Sequence, residues 1–187
     1  MAKTTKKIIS QEEIREFITL AGETEDPNVL VELANRSVYG VEDDANNRLH
    51  RYLTRVILCN DNTPAEAIDI IYKYNANVRV KWLIAHHQNT SPELLTELAH
   101  DKDKQIRIEA LKNINIPTKV LDDVRFGDHE EGRIAEATYY DQKMAECISH
   151  YSPDNPKNML CYLHDFVFRL GMKNTSDALS DYIDQME

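Results

Sequence analysis

Three arginines recur at a constant interval in this chain. The separation in sequence between Arg51 and Arg79 equals that between Arg79 and Arg107. Pro64 and Pro92 repeat that interval, and Pro64 precedes Arg79 by the same distance as Pro92 precedes Arg107. A fixed period of about 20–50 residues is typical of repeat arrays, many of which are built from pairs of helices. The recurrence therefore predicts a stack of helical pairs, and it constrains the fold more than any other feature of the sequence.

The segment that begins before Pro92 shows how one repeat is expected to be built. Ser91 is a favourable N-cap, and Pro92 fits the first helical position, where its missing amide hydrogen costs nothing. An Asp-rich turn then leads into a second helix, which Asn113 is suited to end. The apolar positions expected to face the core of this repeat are Leu94, Leu95, Leu98, Ile106, Ala110 and Leu111.

This unit resembles the short helical-pair repeats of the HEAT-like and leucine-rich-repeat-variant type. Their pattern is a Thr/Ser-Pro start, spaced leucines, an Asp turn, and then Val/Ile-Arg followed by small apolar residues and Asn. The resemblance is closest over residues 62–117 and extends more loosely over residues 26–61 and 117–140. It implies an α-solenoid without an iron–sulfur cofactor, because the variant family's cluster needs cysteines that this chain lacks before Cys59. The residues that carry the resemblance are Ser91, Pro92, Leu95, Leu98, Asp101, Ile106, Arg107, Ala110 and Asn113.

The composition agrees with a helical fold, because only 5 residues are glycine and helix-forming residues are frequent. We predict an all-α protein, built as a short right-handed α-solenoid of about four helical pairs with a C-terminal helical hairpin. An N-terminal helix or cap is expected over residues 1–25, the repeat array over residues 26–140, and an acidic C-terminal helical cap over residues 141–187.

Charge and cysteine usage restrict the class of function. The formal net charge is -10, and residues 128–187 contain 12 acidic and 5 basic residues, which argues against a broad surface for duplex nucleic acid. Three widely spaced cysteines, no long apolar run and no apolar stretch after the first lysines predict a cytoplasmic protein without membrane association. The sequence has no glycine-rich phosphate loop, nucleophile elbow or His-Glu-x-x-His pattern, so we expect no enzymatic activity.

The arginine row, Arg51, Arg79 and Arg107, has two interpretations. In helical arrays such an arginine commonly pairs with the acid or amide of a nearby turn. An Asn or Asp lies four residues before each of the three arginines, as a ladder between neighbouring repeats requires. In the other interpretation, the guanidinium groups line a groove and bind an acidic protein or a phosphate.

A second cluster, Trp82, His86 and His87, lies at the end of the second repeat. Trp82 follows Val78 by four residues, which is the spacing of a packed helical face and favours a place in the core. The histidines fall at a helix end, where the dipole favours a positive charge. Alternatively, an aromatic ring and histidines near a groove form the centre of a contact surface. The candidate partner-binding residues are therefore Arg51, Arg79, Trp82, His86 and Arg107.

The C-terminal region contains two Cys-x-x-His pairs, Cys147 with His150 and Cys161 with His164. Each pair lies at i, i+3 of a predicted helix, and an antiparallel hairpin would bring the two pairs opposite one another. Two Cys and two His side chains arranged in this way would bind a structural zinc ion tetrahedrally. In the alternative interpretation, the cysteines fill apolar space and His150 ends its helix. The first of these helices carries an apolar stripe formed by Ala137, Tyr140, Met144 and Ile148.

These features favour a non-enzymatic interaction module, an adaptor or an inhibitor, that binds another protein through the solenoid groove or the acidic tail. Two alternatives stay open. A HEAT-like protein would bind nucleic acid through the arginine row, or the acidic tail would imitate a nucleic-acid backbone and occupy a basic site on another protein. Apart from the structural zinc ion considered above, no cofactor is expected.

Overall fold

The computed structural model describes residues 10–38, 44–127, 129–149, 160–161, 163–164, 167–168 and 173–184. Every regular element in these ranges is a helix, so the prediction of an all-α protein is confirmed. None of the described helices is both long enough and apolar enough to cross a membrane. The helices are α1 (Gln11–Glu23), α2 (Pro27–Val38), α3 (Asp44–Leu58), α4 (Ala65–Asn75), α5 (Val78–His86), α6 (Pro92–Leu98), α7 (Lys104–Lys112), α8 (Thr118–Val124), α9 (Glu130–Ser149) and α10 (Lys173–Asp184).

The chain divides into two compact units, Met1–Val120 and Leu121–Glu187. In the first unit, α2 and α3, α4 and α5, and α6 and α7 form successive hairpins. The hairpins stack on one another, because α1 packs on α3, α2 on α4, α3 on α5, and α5 on α7. Each helical pair therefore buries its apolar face against its neighbours, as the members of a repeat array do.

Aliphatic side chains at helical spacing fill the space between the hairpins. In α6 and α7 the predicted core positions are confirmed, since all six are buried. Complete burial of one large aliphatic side chain contributes roughly 1.5–3 kcal/mol to folding, so this core is the main source of stability of the stack. The largest fully buried side chains are Ile14, Leu30, Leu53, Ile57, Ile68, Ile71, Ile84, Leu95, Leu98, Ile106, Leu111 and Ile116.

The first helices of successive hairpins do not begin at the interval that the prolines predict. Pro64 is the N-cap of α4, which begins at Ala65. Pro92 is instead the first residue of α6, and the Ser91 side chain caps that helix. The two prolines are therefore not in equivalent positions, and the starts of α4 and α6 are closer together in the sequence than the prolines are.

The second helices of successive hairpins also begin at a shorter interval than the arginines predict. The N-caps of α5 and α7 are Asn77 and Asp103, which are closer together in the sequence than Arg79 and Arg107. Arg79 is the second residue of α5, whereas Arg107 is the fourth residue of α7. The residue of α5 equivalent to Arg107 is therefore Lys81. The constant interval between the arginines therefore does not mark equivalent positions in the stack.

Polar side chains at the end of each hairpin reach back to the preceding turn, and the least exposed of them are Asn60, His87 and Asn113. Asn60 donates to two carbonyls at the end of α1, at 2.8 and 2.9 Å. His87 accepts from the amide of Asn89 at Nδ1, so Nε2 carries the proton and donates to the carbonyl of Asn60 at 3.0 Å. Asn113 donates to the carbonyls of Ala85 and His87, both at 2.9 Å. We call Asn60, His87 and Asn113 the turn ladder; it satisfies carbonyls at helix ends that have no partner within their own helix.

In the second unit, α9 buries a different face from the predicted one. Ala135 and Tyr139 are buried, whereas Met144 and Ile148 are exposed, so the predicted apolar stripe is wrong. The guanidinium carbon of Arg125 lies 3.9 Å from the centre of the Tyr139 ring. A cation held over an aromatic face is attracted to it, and this contact favours turning the Tyr139 side of the helix inward.

Candidate binding site along helices α3 and α5

Charge is unevenly divided between the two sets of stacked helices in the first unit. Helices α3, α5 and α7 together contain eight Lys or Arg residues and two acidic residues. Helices α2, α4 and α6 contain two Lys or Arg residues and five acidic residues. Of the ten Lys and Arg residues in these six helices, eight thus lie on α3, α5 and α7, in a chain whose net charge is -10. Such a surface attracts anions locally although the protein as a whole is acidic.

A cleft of about 490 Å³ lies on this surface, between α3 and the beginning of α5. Three arginines line the cleft, Arg51 and Arg55 from α3 and Arg79 from α5, and we call it the arginine cleft. None of the described residues that line it is acidic. The other described lining residues are Tyr52, Asn75, Asn77 and Val80.

The spacing of residues in α3 explains how this helix contributes three side chains to one cleft. Arg51, Tyr52 and Arg55 lie at i, i+1 and i+4, which places them on one side of a helix whose opposite side is buried. Tyr52 is 51% exposed, so its ring is available for contact. Sequence reasoning found Arg51 and Arg79 but missed Arg55 and Tyr52. The i, i+4 spacing from Arg51 was the signal that could have identified Arg55.

The guanidinium groups of Arg55 and Arg79 have neither an ion pair nor a hydrogen bond to a described residue. The Asn77 side chain caps α5 and accepts from the amides of Arg79 and Val80, both at 3.1 Å. The positive end of the α5 dipole adds to the potential of the nearby guanidinium groups. Like charges that share a cleft repel one another, so an anion that enters the arginine cleft lowers the electrostatic energy.

Two smaller clefts continue from the arginine cleft along α3. The second cleft, of about 280 Å³, shares Tyr52 and Arg55 with the arginine cleft and extends past Val56 to Cys59. The third cleft, of about 360 Å³, shares Cys59 with the second. Gly22 of α1 also lines the second cleft, whereas residues of α5 line the arginine cleft and the third cleft, so the clefts share residues of α3 without lying on one side of it. We call the three clefts together the groove. The other described residues that line the third cleft are Leu58, Asp61, Leu83, His86, His87 and Gln88.

Trp82 does not lie in the core, because 39% of its surface is exposed, and the prediction of core packing is therefore wrong. Val78, four residues earlier, is exposed as well, so this i, i+4 pair marks the solvent side of α5. The Trp82 ring stacks on His86, with 5.5 Å between the ring centres and 5° between the planes. His86 Nδ1 lies 2.7 Å from Oε1 of the buried Glu109, whose Oε2 is 3.5 Å from Lys112 Nζ. These contacts hold an exposed aromatic pair beside the third cleft.

Arg107 stabilises the turn between α6 and α7 instead of lining the groove. Its Nη1 donates to two carbonyls of that turn, at 2.9 and 3.1 Å. Lys81 Nζ lies 2.6 Å from Oδ2 of Asp101 in the same turn. The hydrogen bond from Lys81, followed by one from a turn amide, lowers the pKa of the Asp101 carboxyl below its usual range. Of the three predicted arginines, only Arg51 and Arg79 line the arginine cleft.

The predicted zinc ligands fall only partly within the described residues. His150 and the side chain of Cys147 lie outside them, and Cys161 is exposed. His164 Nε2 lies 3.0 Å from Oγ of the buried Ser176. Among the residues that the structure describes, no group of three His, Cys, Asp or Glu side chains is placed to hold a metal ion. The zinc site therefore stays a prediction.

Comparison of the chain with models of protein families, with curated proteins and with solved structures found no match. The HEAT-like resemblance therefore stays an expectation about the type of repeat. The functional inference depends on the geometry of the first unit.

Proposed function

We propose that the protein is a non-enzymatic interaction module, an adaptor or an inhibitor, that holds an extended acidic segment of a partner protein in the groove along α3. The observation that carries this proposal is the arginine cleft, which three arginines line without an acidic residue among the described lining residues. An ionised partner would form charge-assisted hydrogen bonds with these groups, which are about twice as strong as neutral ones. The stacked hairpins also support the α-solenoid interpretation, since such arrays commonly use one helical face for binding.

The distribution of charge favours a protein partner over a nucleic acid. A nucleic-acid strand carries a phosphate at every nucleotide, so its binding surface needs cations along the whole path. In the groove the described Lys and Arg residues all line the arginine cleft, and Arg55 is the one that also lines the second cleft. The third cleft is lined by Asp61, His86, His87 and Gln88 together with Leu58, Cys59 and Leu83. Helix α1, which packs on α3, contributes four acidic residues and one arginine. A protein segment with a few acidic groups and several neutral ones matches this pattern better.

Single-stranded nucleic acid is the second candidate, and one observation favours it. Two aromatic side chains, Tyr52 and Trp82, are exposed on the same set of helices as the arginines. Bases stack on such rings with little dependence on sequence, and each stacked base contributes about 1–3 kcal/mol.

Affinity capture with matched variants tests the proposal. The wild type is compared with the double variant Arg55→Ala, Arg79→Ala and with a control of equal charge loss, Lys102→Ala, Lys119→Ala, whose lysines are exposed. Each protein is incubated with native lysate with and without nuclease, and a photo-crosslinking residue at Tyr52 marks the bound segment. We expect a nuclease-resistant partner, crosslinked through an acidic segment, that the arginine variant loses and the lysine control keeps. A partner retained equally by all three proteins would contradict the proposal, and recovery only with intact nucleic acid would establish the second candidate.

A further inference from the structure

We propose that the arginine cleft binds a phosphate monoester, and that this group is a phosphorylated side chain of an extended peptide segment. The inference rests on the proposed function, because it specifies which acidic group of the partner occupies the cleft. It is carried by the number of arginines in the cleft, by the lack of competing partners at two of them and by the absence of Lys and Arg among the described lining residues of the clefts that follow.

The number of donors in the arginine cleft matches a phosphate better than a carboxylate. Arg51, Arg55 and Arg79 line the cleft beside Asn77, whose Nδ2 donates to Asn75 Oδ1 at 2.9 Å, so the arginines are the main donors. A carboxylate has two oxygens and one negative charge, so it neutralises a single guanidinium. A phosphate monoester has three terminal oxygens and a charge of about −1.5 to −2 at neutral pH. Arginine forms paired hydrogen bonds with such oxygens, which gives geometric selectivity as well as attraction.

Two arginines of the cleft are available for a ligand. Arg55 and Arg79 have no ion pair or hydrogen bond from their guanidinium groups among the described residues. By contrast, Lys81 in the same helix as Arg79 is paired with Asp101 at 2.6 Å, and Arg107 is bound to two turn carbonyls. The first unit thus uses Lys81 and Arg107 to stabilise a turn and leaves Arg55 and Arg79 for contact with an anion.

The length and chemistry of the groove specify what carries the phosphate. From Arg51 to Cys59 the groove follows α3 over about 12 Å of helix. An extended peptide covers that distance with about four residues. Beyond Arg55 the described lining residues include no Lys or Arg, and Asp61 is acidic. One phosphate followed by neutral side chains suits this path, whereas a nucleic-acid strand would place further phosphates beside Asp61.

Binding of three short degenerate peptide libraries tests this assignment. The libraries carry a central phosphoserine, a central glutamate or a central serine, and are otherwise identical. Their retention on the immobilised full chain is measured for the wild type, for Arg55→Ala, Arg79→Ala, and for the Lys102→Ala, Lys119→Ala control. Inorganic phosphate and a single-stranded oligothymidylate are then added as competitors. Circular dichroism of each variant confirms that loss of retention does not follow from loss of folding.

We expect the phosphoserine library to be retained about tenfold more than the glutamate library, because of its additional charge-assisted hydrogen bonds. The arginine variant should abolish this difference, and the lysine control should preserve it. Equal, arginine-dependent retention of both acidic libraries would overturn the phosphate assignment and leave the proposed function intact. Retention of neither library would overturn both. Full displacement by inorganic phosphate or by oligothymidylate at equal concentration would assign the cleft to a free phosphate ester or to nucleic acid, and would also overturn the inference.

Discussion

The turn ladder and the arginine cleft are both polar features of the same stack of helices, but their side chains are used differently. In the ladder, Asn113 is buried and both of its bonds, at 2.9 Å, end on carbonyls of the preceding hairpin. In the cleft, Arg55 and Arg79 form no such bonds with described residues. Buried polar groups are retained when they are satisfied, because an unsatisfied one costs about 1–3 kcal/mol. The ladder therefore belongs to folding, whereas Arg55 and Arg79 form no bond with a described residue that would stabilise the fold.

Removal of a ladder side chain should have the largest effect on stability. Asn113→Ala removes the bonds to the carbonyls of Ala85 and His87, of which only that of His87 keeps a second donor, the Thr90 amide, so the free energy of unfolding should fall by about 1–3 kcal/mol. Urea unfolding followed by circular dichroism measures this loss. Asn62→Ala is the matched control, since the exposed Asn62 side chain forms no hydrogen bond with a described residue and its change should alter stability by less than about 0.5 kcal/mol. Equal losses in the two variants would show that Asn113 stabilises the fold no more than an exposed asparagine does.

Disruption of the Lys81–Asp101 pair should have the next largest effect. Asp101→Asn removes the ion pair at 2.6 Å, and we expect a loss of about 1–2 kcal/mol at neutral pH. Because folding lowers the pKa of Asp101, its contribution is complete above the unfolded value of about 3.9 and disappears as the pH falls through the lower folded value. Unfolding of wild type and variant should therefore converge in acid.

A double-mutant cycle checks that this loss comes from the pair. Lys81→Met alone should destabilise the protein to a similar extent, and the Lys81→Met, Asp101→Asn double variant should lose little more than either single variant. Strictly additive losses would mean that the two side chains act independently of one another.

A buried histidine should make stability depend on pH near neutrality. Burial lowers the pKa of His50 below 6.5, against the opposing effect of a hydrogen bond with the Ser37 backbone. The unfolded chain therefore binds the proton more readily, so stability should be constant above about pH 6.5 and fall as the pH drops towards the folded pKa. One proton limits this slope to about 1.4 kcal/mol per pH unit. His50→Gln should remove this part of the pH dependence, and identical unfolding profiles of the two proteins would contradict the prediction.

The comparison of ladder and cleft also shows how far the sequence could be interpreted. Helix caps and apolar spacing are local features of the sequence. The sequence alone is therefore sufficient to place the α6–α7 hairpin, whose helices have their N-caps at Ser91 and Asp103. The ladder could be found only by aligning turns, where Asn60, His87 and Asn113 recur at nearly equal intervals. The constant interval between the arginines obscured this register, because the arginines are conspicuous but not equivalent.

The candidate site was predicted in part for the same reason. Arg51 and Arg79 line one cleft between α3 and α5, in agreement with the groove interpretation of the row. Arg107 departs from the row, because it bonds to carbonyls of the turn before α7. Trp82 shows the opposite limit of sequence reasoning. Its spacing from Val78 is that of a packed face, but spacing alone does not tell which side of a helix meets the core. In α5 that side is defined by Val80 and Ile84, which are both buried.

Substitution of arginines in the arginine cleft should change stability least. This result separates the arginine cleft from the turn ladder most clearly. Arg55→Ala, Arg79→Ala removes two cations that have no carboxylate partner among the described residues, so the free energy of unfolding should change by less than about 0.5 kcal/mol. At low ionic strength the free energy of unfolding should increase slightly, because repulsion with Arg51 is relieved. This gain should vanish at about 0.15 M salt, where the screening length is about 8 Å. Urea unfolding at both salt concentrations measures this. A loss greater than about 1 kcal/mol would place these arginines with the ladder, as groups that stabilise the fold, because a cation that binds only an external anion contributes nothing to folding in its absence.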